Sequence, residues 1–240
     1  MTTNTIVKTF IIDGQPVSAT AGETILDVAR QNGVNIPTLC NMDGLTSTGQ
    51  CRLCMVEIAG TNRMIPACVA KPEDGMDVVT ESPRLLKYRQ MILELLFSER
   101  NHICAVCVTN GNCELQSMAQ RLGVDHVRYG YLNPHFDVDG SHPQFEVDHN
   151  RCILCGRCVR VCEEIEGAHT RDLRNRGIHT LVITDFDGPW GESKTCTSCG
   201  KCVHVCPTGA LAEKGKSVAE MAKRRQFLPY LVMRRKGATK

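Results

Sequence analysis

Cys152-Ile153-Leu154-Cys155-Gly156-Arg157-Cys158-Val159-Arg160-Val161-Cys162 returns 44 residues later as Cys196-Thr197-Ser198-Cys199-Gly200-Lys201-Cys202-Val203-His204-Val205-Cys206. Seven of the eleven positions are identical, and each copy spaces its cysteines C-x2-C-x2-C-x3-C. The second copy runs directly into Pro207. Two copies do not make a solenoid, which needs a longer array to bury its faces. They read instead as a pseudo-twofold pair of metal-binding loops. Residues 163–195 are an insertion between the halves, with a strand expected over His179 to Ile183.

This spacing resembles that of bacterial ferredoxins, where three cysteines of one motif and the last cysteine of the other hold each [4Fe–4S] cluster. A short loop can wrap three irons of a cubane while amides near its glycines donate to sulfur. The crossover gives one set of Cys152, Cys155, Cys158 and Cys206, and a second of Cys162, Cys196, Cys199 and Cys202. Glu163 follows Cys162 where the pattern has proline. A pair of zinc sites is the alternative, but zinc ribbons rarely run three cysteines at x2 spacing.

Composition points the same way. The protein has 240 residues and 15 cysteines. That odd count, behind an N-terminus without the charged and apolar regions of a secretory signal, argues against a disulfide framework and for a cytoplasmic protein. With 11 aromatics among 240 residues, conventional cores are thin, and bound metal is the natural organiser. No apolar run approaches the ~18 residues of a membrane span. Residues 213–240 hold nine Lys/Arg against two Asp/Glu. Without a recognition motif or aromatic–basic interleaving this tail does not read as binding nucleic acid, and a solvated helix or an acidic protein partner is expected. Met221 to Met233 is a candidate docking helix, interrupted at Pro229.

Two further cysteine groups precede the repeat. Cys40, Cys51, Cys54 and Cys68 lie in the loops of a mixed α+β unit. Ile6 to Ile12 and Val17 to Thr20 flank the hairpin signal Asp13-Gly14. A helix is expected over Glu23 to Gln31, and strands over Met55 to Ala59 and Met76 to Thr80. The central C-x2-C and the distant fourth cysteine are similar to plant-type [2Fe–2S] ferredoxins, with a longer first gap. A four-cysteine zinc site is the alternative. A helix expected over 83–99, with Pro83 near its start, leads to Cys104, Cys107 and Cys113. These are only three ligands. His102 is the candidate fourth, beside an open iron, a zinc site of three cysteines and one histidine, or an ordinary exposed histidine. Glu114 to Leu122 reads as a helix stopped by Gly123, and residues 129–143 as a connector.

Several features carry no chemistry. No G-x-G-x-x-G occurs, and no catalytic acid, base or nucleophile stands out. Gly209 to Ser217 imitates a phosphate loop with one residue too many between its glycines. His204 reads as a surface histidine. Arg52, Arg157 and Lys201, inside the cluster loops, read either as charges favouring a reduced cluster or as solvated surface.

Taken together, the sequence resembles the N-terminal iron–sulfur region shared by the large iron–sulfur subunit of NADH:quinone oxidoreductase, [FeFe] hydrogenases and NAD-linked [NiFe] hydrogenases. The residues that carry this are Ile36-Pro37, Gly49-Gln50-Cys51-Arg52-Leu53-Cys54-Met55-Val56-Glu57, Ala67-Cys68, Gly75-Met76-Asp77-Val78-Val79-Thr80, Glu94-Leu95-Leu96, His102, Cys113-Glu114-Leu115-Gln116 and the paired motifs. The resemblance covers about residues 5–210. It implies that the second group is a [4Fe–4S] cluster with a histidine ligand, although the family has H-x3-C and the spacing here is H-x1-C. The sequence stops 34 residues after Cys206, where larger relatives continue. It is thus similar to the small diaphorase subunits of soluble NAD-reducing [NiFe] hydrogenases (H2 + NAD+ = NADH + H+).

The expected fold is α+β and modular. Residues 1–80 form a β-grasp, plant-type [2Fe–2S] ferredoxin-like domain. Residues 81–140 form a small helical domain whose [4Fe–4S] cluster is held by one histidine and three cysteines, with a connector. Residues 141–212 form a bacterial-type 2[4Fe–4S] ferredoxin-like domain, and 213–240 a basic tail. The resemblance implies one [2Fe–2S] and three [4Fe–4S] clusters, FMN and NAD on a flavin-containing NADH diaphorase partner, and a Ni–Fe centre on hydrogenase small and large subunits. The alternatives are an iron–sulfur subunit of another NADH-linked enzyme, such as a formate dehydrogenase or quinone reductase, and a zinc-organised interaction module.

Overall fold

The computed structural model describes residues 7–228. Its described residues divide into two units, one of residues up to 41 and 47–92, the other of residues 42–46 and from 93 onward.

In the first unit β1 (Lys8–Ile12) and β2 (Gln15–Ala19) form an antiparallel hairpin. The turn is made by Asp13 and Gly14, both at positive φ (49° and 80°), which suits Asp and Gly and closes a two-residue loop. Helix α1 (Ile25–Gln31) begins at a capping box. The Thr24 hydroxyl accepts from the Asp27 N–H at 3.2 Å, and the Asp27 carboxylate accepts from the Thr24 N–H at 2.8 Å. Its apolar face, Ile25, Leu26, Val28 and Ala29, is buried. Strands β3 (Met55–Ile58), β4 (Met64–Pro66) and β5 (Asp77–Val79) complete a sheet of order β2-β1-β5-β3-β4, with β1 and β5 parallel. Phe10, Ile12, Val56 and Val78 of the sheet pack with the helix face and with Cys54 and Cys68.

Helix α2 (Pro83–Glu99) starts where the Ser82 hydroxyl accepts from the Leu85 N–H at 3.1 Å. Its missing N–H makes Pro83 harmless in that first turn. Arg89 on this helix is buried and donates to the carbonyls of Leu53, Met55 and Thr80 at 2.9–3.2 Å. One side chain thus satisfies carbonyls from two separate loops, tying the Cys51–Cys54 loop to the helix.

The second unit contains α3 (Glu114–Arg121), which ends before Gly123 at φ 67°. Strands β6 (Val138–Asp139) and β7 (Phe145–Asp148) lead to the first cysteine motif and helix α4 (Arg157–Arg160). A π-helical segment, Val161–Glu166, follows. The insertion forms an antiparallel hairpin of β8 (Arg171–Arg174) and β9 (Leu181–Thr184). The second motif passes into α5 (Lys201–Val205) and β10 (Leu211–Glu213), which pairs with β7. Because Leu211 to Glu213 are a strand, the phosphate-loop imitation has no loop to offer.

One expectation requires correction. The described part of the basic tail is not a solvated helix. Met221 and Leu228 are buried, Lys223 Nζ donates to the Val203 and Leu211 carbonyls at 3.1 and 3.4 Å, and Arg225 Nε donates to the His204 carbonyl at 2.9 Å. Long basic side chains bury their stems and spend their charged heads on carbonyls, so composition alone misread the segment. Residues 229–240, with Pro229 and the end of the expected docking helix, lie outside the described residues. Among the described residues no helix is long and apolar enough to cross a membrane.

Candidate metal centres

The cysteines gather in four places. In the first unit Cys40, Cys54 and Cys68 are buried and Cys51 is half-buried. The Cys51 and Cys68 thiols hydrogen-bond with Cys40, and Cys54 with Cys68. The bond from Cys68 draws Cys54 down to about 7, whereas bonding to Cys40 and burial push Cys51 and Cys68 well up. Cys51 Sγ also accepts from the backbone N–H groups of Leu39 and Cys40, each at 3.4 Å. Amides aimed at sulfur are what a thiolate cluster requires.

In the second unit Cys104, Cys107 and Cys113 line a pocket of about 340 Å3 with His102, Phe97, Arg151, Thr208 and Gly209. His102 Nε2 is buried without a hydrogen-bond partner, while the ring bonds the Leu96 backbone. Nδ1 is therefore the donor, and Nε2 is left as a bare acceptor facing inward. Ligating histidines are oriented in this way. Burial, followed by the charge of Arg151, lowers this imidazole to about 4 and keeps it neutral. The pocket is tightly bounded: a Cβ on Gly209 would lie 2.5 Å from Cys107 Sγ and 2.9 Å from Thr109 Oγ1.

The repeat makes two more pockets. Cys152, Cys155, Cys158 and Cys206 line one of about 410 Å3. Cys162, Cys196, Cys199 and Cys202 line the other, of about 350 Å3. Each pocket draws its fourth cysteine from the opposite motif. The backbones match as well as the sequences do. Leu154 and Ser198 have φ of 52° and 56°, and Gly156 and Gly200 have φ of 67° and 69°. Such alternation turns successive N–H groups inward, forming an anion-binding nest. The Leu154 N–H donates to Cys152 Sγ at 3.4 Å. Burial pushes Cys152 up to about 12 and Cys155 and Cys202 up to about 11. Burial keeps these thiols neutral, and bound metal supplies the positive charge that lets them deprotonate together.

The four thiol sites suit a multi-iron cluster by donor chemistry, one of them also by the unpartnered His102 Nε2 and two by amides at sulfur.

Two of the three charged residues of the cluster loops differ from the solvated reading. Arg157 is buried and forms a bidentate pair with Glu114, at 2.8 and 2.9 Å. Lys201 pairs with Glu166, and Arg52 is exposed. His204 is largely buried, with Nε2 3.5 Å from Glu213, and lines none of these pockets. Two residues escaped sequence reasoning. Trp190 Nε1 donates to Cys196 Sγ at 3.2 Å, and the Arg171 guanidinium lies 3.8 Å from the Trp190 ring centroid. Trp190 is the single tryptophan of the sequence, which was the available hint; Arg171 carries none.

Comparison with known proteins follows this division. Residues 8–83 match the 2Fe-2S iron-sulfur cluster binding domain family. Residues 89–128 match the NADH-ubiquinone oxidoreductase-G iron-sulfur binding region, and residues 142–212 the ferredoxin-like domain of NADH-quinone oxidoreductase subunit 3. The NADPH-Fe(3+) oxidoreductase subunit alpha of Geobacter sulfurreducens is 39% identical over 203 residues, which cover 85% of this chain and 24% of that one. The chain thus spans about a quarter of the length of that relative. The NAD-reducing hydrogenase HoxS subunit gamma of Cupriavidus necator is 30% identical over 217 residues, covering 90% of this chain and 91% of that subunit. A chain in the crystal structure of an NAD+-reducing [NiFe]-hydrogenase in the H2-reduced state superposes with a TM-score of 0.83 at 33% identity, covering 92% of this chain and 93% of that one. Three iron–sulfur domains in the same order, joined to a two-way match along nearly a whole subunit, lead to one conclusion: the chain belongs to the iron–sulfur protein family that includes the gamma subunit of NAD-reducing hydrogenase.

Proposed function

We propose that this chain is an electron-transfer subunit that catalyses nothing alone. It relays electrons between an FMN- and NAD-binding diaphorase subunit and the small and large subunits of a [NiFe] hydrogenase, in the cytoplasm. The observation that carries this reading is the match covering 90% of this chain and 91% of a hydrogenase gamma subunit. A second reading, the iron–sulfur part of another NAD(P)H-linked oxidoreductase, is favoured by the higher identity, 39%, to the NADPH-Fe(3+) oxidoreductase alpha subunit.

Four clusters are proposed. Cys40, Cys51, Cys54 and Cys68 hold a [2Fe–2S] cluster in a β-grasp module over residues 1–80. His102, Cys104, Cys107 and Cys113 hold a [4Fe–4S] cluster in the module over 81–140. Cys152, Cys155, Cys158 and Cys206 hold a second, and Cys162, Cys196, Cys199 and Cys202 a third, in the module over 141–212. When bound, these clusters supply one-electron redox chemistry. The protein's contribution is to hold sulfur and imidazole ligands, exclude water and aim dipoles. His102 presents a neutral Nε2 where a thiolate would bring negative charge, so its site favours the reduced state. The amides on Cys51 and Cys152 act in the same direction.

The test is the metal and flavin content of the complex purified anaerobically through a tag on this chain. Nickel and FMN in near-stoichiometric amounts support the hydrogenase reading. FMN without nickel supports the second reading and overturns the first.

A further inference from the structure

Residues 163–195 are required by neither cysteine motif, yet they line the thiol pockets: Glu166, which pairs with Lys201, Ala168, Thr170, Arg171 and Trp190 at one and Val182 at the other. Arg171, the first residue of β8, is only 3% exposed. Its Nη1 donates to Thr184 Oγ1 across the hairpin at 2.9 Å, while its Nη2 is buried and has no hydrogen-bond partner. Among the described residues it forms no ion pair. The two carboxylates that feel its charge, Asp139 and Asp185, are otherwise engaged. Asp139 accepts from Ser141 and the Trp190 backbone, and Asp185 from Thr195 and Lys194.

A buried cation without a close counter-charge is costly unless something negative repays it. The stacking of its guanidinium on Trp190 offsets part of that cost. The rest falls to the thiol sites. Arg171 lines the pocket of Cys162, Cys196, Cys199 and Cys202. Trp190 acts on the same set, through its N–H on Cys196 Sγ.

We propose that the insertion sets the reduction potential of the cluster held by Cys162, Cys196, Cys199 and Cys202, with Arg171 as a buried cation lining its pocket and Trp190 as a hydrogen-bond donor to Cys196. Each reduction adds one electron from a neighbouring reduced centre or, in the test, from dithionite. One negative charge is gained, and no bond is made or broken. A fixed cation and an N–H on sulfur both stabilise that added charge and raise the potential.

This inference rests on the cluster reading above, and the experiment separates the two. The full chain, purified anaerobically, is assayed for iron and sulfide and then titrated with dithionite under electron paramagnetic resonance. Arg171→Gln is expected to lower one [4Fe–4S] midpoint by about a tenfold change in the reduction equilibrium, ~59 mV for a one-electron couple. Arg171→Lys is expected to retain most of it. Trp190→Phe loses the indole donor and is expected to lower the same midpoint by less. Unchanged midpoints in Arg171→Gln and Trp190→Phe, at wild-type iron content, overturn the inference and leave the cluster reading standing. If Arg171→Gln fails to load iron, the other two variants decide, and unchanged midpoints in Trp190→Phe with a lowered midpoint in Arg171→Lys overturn it. A wild-type chain without iron and sulfide overturns both readings.

Discussion

The two cysteine motifs of the repeat share spacing, glycine position and positive φ at corresponding residues, yet they sit in different surroundings. The Cys152–Cys158 loop faces Val147, Val182, Ala210 and Leu211. The Cys196–Cys202 loop faces Glu166, Thr170, Arg171, Trp190 and Lys201, and Cys199 is exposed. At one motif position Arg157 is buried against Glu114 at 2.8 Å, whereas its counterpart Lys201 pairs with Glu166 while keeping some exposure. The motif thus specifies ligands and backbone, and what packs on it specifies charge, polarity and access. Two clusters with the same ligand set need not have the same potential.

The largest test attacks the pairing of the motifs. If ligands cross over, Cys206→Ser removes the cluster of the first loop although the residue lies in the second. Iron should fall from about 14 to about 10 per chain, with the cluster of Cys162, Cys196, Cys199 and Cys202 retained. Loss of the second loop's resonance signal instead would show that each motif binds its own cluster.

Next comes the Arg157/Lys201 contrast. Arg157→Met leaves Glu114 with Arg225 alone and is expected to cost about 3 kcal/mol of unfolding free energy. Lys201→Met removes a more exposed pair and is expected to cost under ~1 kcal/mol. Equal costs in chemical denaturation would remove this difference between the loops.

A third test exploits the position three residues after each motif, Ile165 in one and Gly209 in the other. Gly209→Ala drives a Cβ toward Cys107 Sγ. Overpacking of this kind costs about 1–3 kcal/mol, and iron loss should be confined to the site of His102, Cys104, Cys107 and Cys113. Gly215→Ala, where a Cβ meets nothing within 4 Å, reports only the cost of its positive φ.

The smallest effect is a control away from both loops. Arg128 bonds the buried Glu94 carboxylate at 2.6–2.9 Å and holds it below the usual carboxylate range. A carboxyl lowered on folding contributes stability above its unfolded pKa of ~4.3, and this is lost as pH falls through the lower folded value. Glu94→Gln should flatten the acid limb of a stability–pH curve and leave both ferredoxin-like resonance signals unchanged.

The cysteine sets were legible because ligand spacing is a local property. Helix 83–99 was legible from its proline start and apolar content. The hairpin turn announced itself as Asp13-Gly14. Strand β8 was not legible, since Arg171-Asp172-Leu173-Arg174 alternates weakly and carries three charges. Arg171 and Trp190 act on thiols that are distant in the sequence, so no short window connects them. Over 213–228 the expected solvated surface is largely present, but the helix is not, because Lys223 and Arg225 spend their donors on carbonyls distant in the sequence. His102 was legible as a candidate beside three cysteines, but its bare Nε2 and the Leu96 bond required coordinates.

The most direct measurement is the iron, acid-labile sulfide and zinc content of the full chain purified without oxygen. One [2Fe–2S] and three [4Fe–4S] clusters predict about 14 iron and about 14 sulfide per chain, with zinc well below one. Stoichiometric zinc without sulfide would contradict the account and make the four cysteine groups structural metal sites.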